Sequence, residues 1–178
     1  ILPLALTCLA LLVPASPATA QQTHKLPSEA TWLSDVHDGM VGSRAFLSGR
    51  ISGASSGEKL AVNLDIDNTS LASHYAPRQP VLVVRRFAHY AHKHDIAVFF
   101  NTGRDDGQAA KMRTLLRNAG FPVDRLCTRH VGEDVAASKQ RCRQSFVDDG
   151  FTIVVNVGNR STDFVGSNYE RAFKLPSY

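Results

Sequence analysis

The stretch Leu60-Ala61-Val62-Asn63-Leu64-Asp65-Ile66-Asp67-Asn68-Thr69 constrains this chain more than any other. A short, mostly apolar run ends abruptly in two carboxylates one residue apart. Such a run reads as a buried strand. Side chains two apart on a strand share a face, so Asp65 and Asp67 are delivered to one place. In open parallel sheets the carboxyl ends of the strands are where ligands bind. Two like charges this close repel unless a cation or a shared proton relieves them. The stretch therefore asks for a metal ion, a proton shuttle, or both. Taken alone, it also fits a strand running into an ordinary turn, because Asp and Asn are common turn formers.

Strand-like and helix-like segments alternate along the chain. Ser28 can cap a helix with Glu29 in its first turn, and Trp32, Val36 and Met40 lie near helical spacing. Gly39 and Gly42 limit this to a short helix followed by irregular chain, and Ser48 to Lys59 reads as a Gly/Ser-rich loop. Ser70 to Pro80 argues against long regular structure, and Pro80 is placed to open a helix at its first position. Val81, Val84, Phe87, Ala88 and Ala91 then fall on one helical face. Ile96 to Phe100 predicts a second buried strand, and Gln108 to Ala119 a helix stopped by Gly120 and Pro122. A weak strand at Leu126 to Thr128 precedes a helix from the Asp134 cap to Val147. Phe151 to Val157 is an almost wholly apolar strand, and Arg171 to Leu175 a short last one. Continuously apolar strands alternating with helices imply a parallel sheet covered on both faces. With no internal repeat, the expectation is one α/β domain over 60–178, preceded by a partly helical extension over 21–59.

The first twenty residues differ in kind. Ile1 to Val13 is apolar and uncharged, and Ala18-Thr19-Ala20 before Gln21 resembles a signal-peptidase site. This reads as a signal peptide entered part-way, over 1–20. The run is too short to span a bilayer and is interrupted by Pro3 and Pro14. Export follows, to a secreted or periplasmic destination with no membrane attachment after cleavage. Cys127 and Cys142 then remain, and an even count in an exported chain invites a disulfide, with two buried free thiols as the alternative. The seven histidines are scattered without zinc spacing. The formal charge of +4 favours anionic substrates. Basic residues are spread out and not interleaved with aromatics, so the charge is no evidence for nucleic acid and none is expected as a partner. Arg85-Arg86 and Arg141/Arg143 read as solvated helix faces as readily as binding patches. No Gly-x-Gly-x-x-Gly follows the first strand, so a dinucleotide site is not indicated.

Four segments together resemble the haloacid dehalogenase-like phosphatases, in their secreted acid phosphatase branch (class B and subfamily IIIB-like relatives). Leu64-Asp65-Ile66-Asp67-Asn68-Thr69 looks like that branch's first motif, and Phe99-Phe100-Asn101-Thr102-Gly103-Arg104 its second. Ser138-Lys139-Gln140-Arg141-Cys142-Arg143 resembles the Lys-x-x-x-Arg third, and Gly150 through Asp163 the fourth, usually Gly-Asp-x-x-x-Asp after a strand. The resemblance implies a Rossmann-like α/β fold with helices on both faces and hydrolysis of phosphate monoesters through a phosphoaspartate. Asp65 falls on the nucleophile and on a metal ligand, and Asp67 on the acid/base and, through its carbonyl, a further ligand. Thr102, Gly103 and Lys139 fall on phosphate-holding positions, with Thr102 and Lys139 also counted as catalytic. Asn159 and Asp163 complete an oxygen site for Mg²⁺, an ion that favours carboxylates, carbonyls and water. Asn159 departs from the usual Asp. The few residues between Ser70 and Pro80 leave room for no cap or a minimal one, so cover would come from the N-terminal extension or a second copy in a homo-oligomer. Besides the phosphatase, the pattern admits a non-catalytic storage or binding relative of the same fold. Asn159 favours that reading, and Asp65, Asp67, Thr102 and Lys139 oppose it.

Overall fold

The computed structural model describes residues 26–178. The expected signal peptide and the start of the extension lie outside the described residues. Among the described residues five α-helices and seven strands follow one another: α1 (Glu29–Gly39), α2 (Ser43–Ser52), β1 (Lys59–Leu64), β2 (Leu71–Ala72), β3 (Ala76–Pro80), α3 (Leu82–Lys93), β4 (Ala97–Asp105), α4 (Ala109–Asn118), β5 (Arg125–Arg129), α5 (Val135–Asp148), β6 (Phe151–Gly158) and β7 (Arg171–Lys174).

Five of the strands form one sheet in the order β5-β4-β1-β6-β7, with every pairing parallel. The run that begins at Leu60 lies at its centre, where Val62 pairs with Val98 on one side and Val155 on the other. The pleat then sorts the side chains. Leu60, Val62 and Leu64 enter a large core with Val36 and Leu47 of α1 and α2, Phe87 of α3 and Leu116 of α4. Ala61 points the other way, joining Phe99, Ile153 and Phe146 of α5 in a smaller cluster. Both faces are therefore covered, as a sheet of continuously apolar strands requires. Between β1 and α3 lies only the β2–β3 hairpin, so there is no inserted cap.

Three elements differ from their sequence reading. The Gly/Ser-rich segment after Leu47 continues as α2 to Ser52. Leu47 is fully buried, and Phe46 and Ile51 pack against the core, so tertiary burial overrides weak local propensity there. Pro80 does not open α3. It closes β3 opposite Leu71, and Val81 serves as the helix N-cap. Arg143 is no solvated helix residue: it is wholly buried. The helical face from Val81 to Ala91 is buried in full, and Asp134 caps α5 by accepting from Ala137 N at 2.9 Å.

Cys127 and Cys142 are joined in a disulfide with Cα atoms 5.8 Å apart, tying β5 to α5. Among the described residues no helix is long and apolar enough to cross a membrane.

Candidate active site

β1 and β6 are neighbours on which the connections depart in opposite directions, so their carboxyl ends flank the crevice where ligands bind in such sheets. Asp65 stands at the end of β1. Its N–H donates to Val157 O at 2.9 Å, and its carbonyl accepts from Ser70 Oγ at 2.7 Å. Only 7% of its surface is exposed. The Lys139 ammonium, projecting from the second turn of α5, contacts Asp65 Oδ1, donates to Asn101 O at 2.6 Å and lies 2.8 Å from Asp163 Oδ1. One buried cation thus bridges two buried carboxylates. Burial acts to strip the lysine of its proton, but Asp65 and Asp163 outweigh it and hold its pKa above the usual value. Burial pushes the Asp65 carboxyl up to about 6; Lys139 opposes this, and Asp163 and Asp67 reinforce it.

Asp67 faces a different environment. Arg104 grips it with both prongs, Nε donating to Oδ2 at 2.8 Å and Nη2 to Oδ1 at 2.7 Å, and Ser73 Oγ donates to Oδ1. Burial would raise its pKa, but the hydrogen bonds from Arg104 and Ser73 prevail and lower it. Asn68, between the acids and the hairpin, takes a left-handed turn with φ 57°, a conformation asparagine tolerates. Its Oδ1 accepts from His74 N at 2.9 Å, fixing the hairpin beside the acids.

Thr102 and Gly103 lie near the end of β4 and line the same cleft. Thr102 is buried and its Oγ1 accepts from Arg104 N at 3.2 Å. Gly103 has little room for a side chain, since a Cβ would sit 3.2 Å from Val135 Cγ1. Beyond β6, Asp163 Oδ2 accepts from the N–H groups of Asn159 at 3.0 Å and Arg160 at 2.9 Å. Gly158 is obligatory, because a Cβ there would fall 2.4 Å from Asp163 Oδ2. Both Asp163 oxygens are therefore engaged by protein donors. Asn159 Oδ1, in contrast, is buried without a hydrogen-bond partner. An orphaned amide oxygen on a residue lining the same cleft as Asp65 is the kind of donor a hard divalent cation takes. Among the described residues no three His, Cys, Asp or Glu side chains form a ready metal cage. The acids are turned toward Lys139 and Arg104 instead.

The structure thus gathers Asp65, Asp67, Thr102, Gly103, Lys139, Asn159 and Asp163 around one cleft of about 550 Å³. It adds residues the sequence reading left out. Asn63 donates Nδ2 to Asn156 Oδ1 at 2.7 Å, Asn156 donates Nδ2 to Asp163 O at 2.9 Å, and Asn101 donates Nδ2 to Lys139 O at 2.8 Å. These asparagines interrupt apolar strands, and Asn63 stands two residues before Asp65 on the same face. That interruption was the available signal. Arg104 and Arg143 matched motifs without an assigned role, and both make specific contacts here.

A doubly wound parallel sheet with a polar cleft at this crevice defines an α/β protein of Rossmann-like architecture. The chain matches the crystal structure of the Class C acid phosphatase from Bacillus anthracis with tungstate bound, with a TM-score of 0.65 over 84% of this chain and 79% of that one. At 14% identity this likeness concerns the fold. The sequence supplies the family: the model for HAD superfamily, subfamily IIIB (Acid phosphatase) matches residues 76–178, more than half the chain. The protein belongs to that family and is a phosphomonoesterase. The matched span begins after Asp65 and Asp67, so those two rest on the geometry above. Comparison with curated proteins finds no match.

Proposed function

We propose that the protein is an exported, Mg²⁺-dependent acid phosphatase that hydrolyses small phosphate monoesters through a phosphoaspartate on Asp65. The observation that supports this best is the Lys139 ammonium buried against Asp65 and Asp163 at the cleft floor. A fixed cation there offsets charge on both the attacking carboxylate and the phosphoryl oxygens.

Lys139 engages Asp65 Oδ1, which leaves Oδ2 to attack phosphorus. As that bond forms and the ester P–O bond breaks, Asp67 gives its proton to the departing alkoxide. Asp67 then takes a proton from water, whose oxygen attacks the phosphoaspartate and releases inorganic phosphate and free Asp65. Arg104 holds the Asp67 pKa low, so the pair must open and Asp67 take up a proton from solvent before it can act as an acid. Thr102 Oγ1 and the Gly103 backbone hold the phosphoryl oxygens. Asp65, the Asp67 carbonyl and Asn159 Oδ1 would hold the ion, with Asp163 fixing Asn159 from behind. When bound, the ion supplies positive charge for the phosphoryl oxygens and the leaving group. The disulfide supports an oxidising, exported destination.

Phosphate release from an aryl phosphate, measured on chelated protein with and without added magnesium, tests this reading. Turnover restored by magnesium and abolished by Asp65→Asn in a folded protein is the expected result. Full activity in that variant would discard the covalent mechanism, and activity indifferent to the metal would discard the ion.

A further inference from the structure

Among the described residues Arg143 is the largest fully buried side chain, yet no carboxylate faces its guanidinium at ion-pair distance. A buried charge is tolerated only when its hydrogen bonds are met. Here they are met almost wholly by main chain. Nε donates to Ser167 O at 3.0 Å and Nη1 to Asp163 O at 2.8 Å; Nη2 donates to Gln140 Oε1 at 2.8 Å and to Val165 O. Three alternate carbonyls, at 163, 165 and 167, converge on one side chain. The loop bends to allow this at Gly166, whose φ is +85° and where a Cβ would meet Gln140 Oε1 at 2.3 Å. Gln140 Oε1 also accepts from Ser167 N at 3.0 Å. One helix thus holds this loop from two successive turns.

The loop leads to the candidate ion seat. Asp163 has its carbonyl gripped by Arg143 and Asn156, and its carboxylate by Lys139 and by the N–H groups of Asn159 and Arg160. Asn159 carries the orphaned buried oxygen. A contiguous set of hydrogen bonds therefore runs from Arg143 through Asp163 to Asn159, and from Asp163 to Lys139. Ligands held by such outer partners lose affinity for the ion when the partners are removed.

We propose that Arg143 is a positioning residue that clamps the 163–167 loop so that Asn159 Oδ1 is presented to a divalent cation. This rests on the metal-dependent reading above and assigns Arg143 a task that no substrate contact requires. A lysine at 143 keeps the charge but cannot reach three separated carbonyls with a planar fork.

The test titrates magnesium into chelated protein and reads two signals, the rise in Tm and phosphate release. Wild type gives one magnesium dissociation constant by both, the Tm rise being fitted to its logarithmic dependence on magnesium and the turnover to its saturation. Arg143→Lys raises it about 10- to 100-fold in both readouts, with a much smaller change in kcat at saturating magnesium. Leu116→Ala, on the opposite face of the sheet, lowers Tm without moving the magnesium constant. Gln140→Ala shifts the constant the same way by less, and decides the matter if Arg143→Lys does not fold. Wild-type magnesium constants in these variants overturn the positioning role and leave the phosphatase reading intact. A wild type whose Tm and turnover both ignore magnesium overturns the metal-dependent reading, and this one with it.

Discussion

Asp65, Asp163 and Lys139 form a three-body arrangement in which one buried cation serves two acids. Its arithmetic is asymmetric. Lys139 is held protonated by both carboxylates, whereas burial places the Asp65 carboxyl at about 6, above its unfolded value of about 3.9. Between those two values the metal-free folded protein holds a proton that the unfolded chain does not. The stabilisation is fully present below the unfolded value and is lost as pH rises through the folded one. The metal-free protein should therefore show a falling Tm from about pH 4.5 to 6. Asp67, Glu58, Asp106 and Glu133 have lowered values and lose their contributions only at more acid pH, so they do not shape this window. Asp65→Asn should flatten the slope. A slope unchanged in that variant would assign it to other groups.

At the scale of elements, the pattern of strands and helices was legible because burial on both sides of a parallel strand leaves an unbroken apolar run. Ile153 to Val155 of β6 and Leu60 to Val62 of β1 are such runs. The buried face of α3 was legible from helical spacing, and α5 from its capping aspartate. Local signals failed where the deciding contact was distant. Gly49 and the serines of α2 argue against a helix, and only the burial of Leu47 reveals one. Arg143 reads as surface because nothing local tells that three carbonyls will converge on it. The site acids and Lys139 were legible through motif order, whereas the asparagines beneath them look like breaks in strands until neighbouring strands are aligned. The disulfide anchors α5, the helix that carries Lys139, to the sheet. It closes a loop of sequence separation 15 and joins α5 to β5 one turn from Lys139. Replacing both cysteines by serine should lower stability by about 3 kcal/mol in chemical denaturation. Lys139 keeps its contacts to Asp65, Asp163 and Asn101, so kcat should change little. A loss of kcat far exceeding the loss of stability would mean the bridge itself holds the lysine in place.

At the scale of the whole molecule, the boundary at Lys59 marks where the parallel sheet begins but not where the core begins. Trp32, Val36, Met40 and Leu47 from the N-terminal helices are buried in the same cluster as Val62, Leu64 and Phe100. Trp32 stacks on Tyr75 of the hairpin at 5.1 Å between ring centroids, and Tyr75 Oη donates to Pro27 O at 2.8 Å. The segment that precedes the sheet thus braces the hairpin that stands where a cap would be, beside the open cleft. Burying four large apolar side chains contributes on the order of 10 kcal/mol, comparable to the whole net stability of a domain this size. We predict that a chain beginning at Lys59 fails to fold cooperatively, losing the sigmoidal thermal transition in circular dichroism. A truncated chain that melts cooperatively within a few degrees of the full one would make the first helices a separable extension, as their position in the sequence suggests. It would also leave the hairpin, and the Asn68–His74 contact beside Asp67, to be held by the sheet alone.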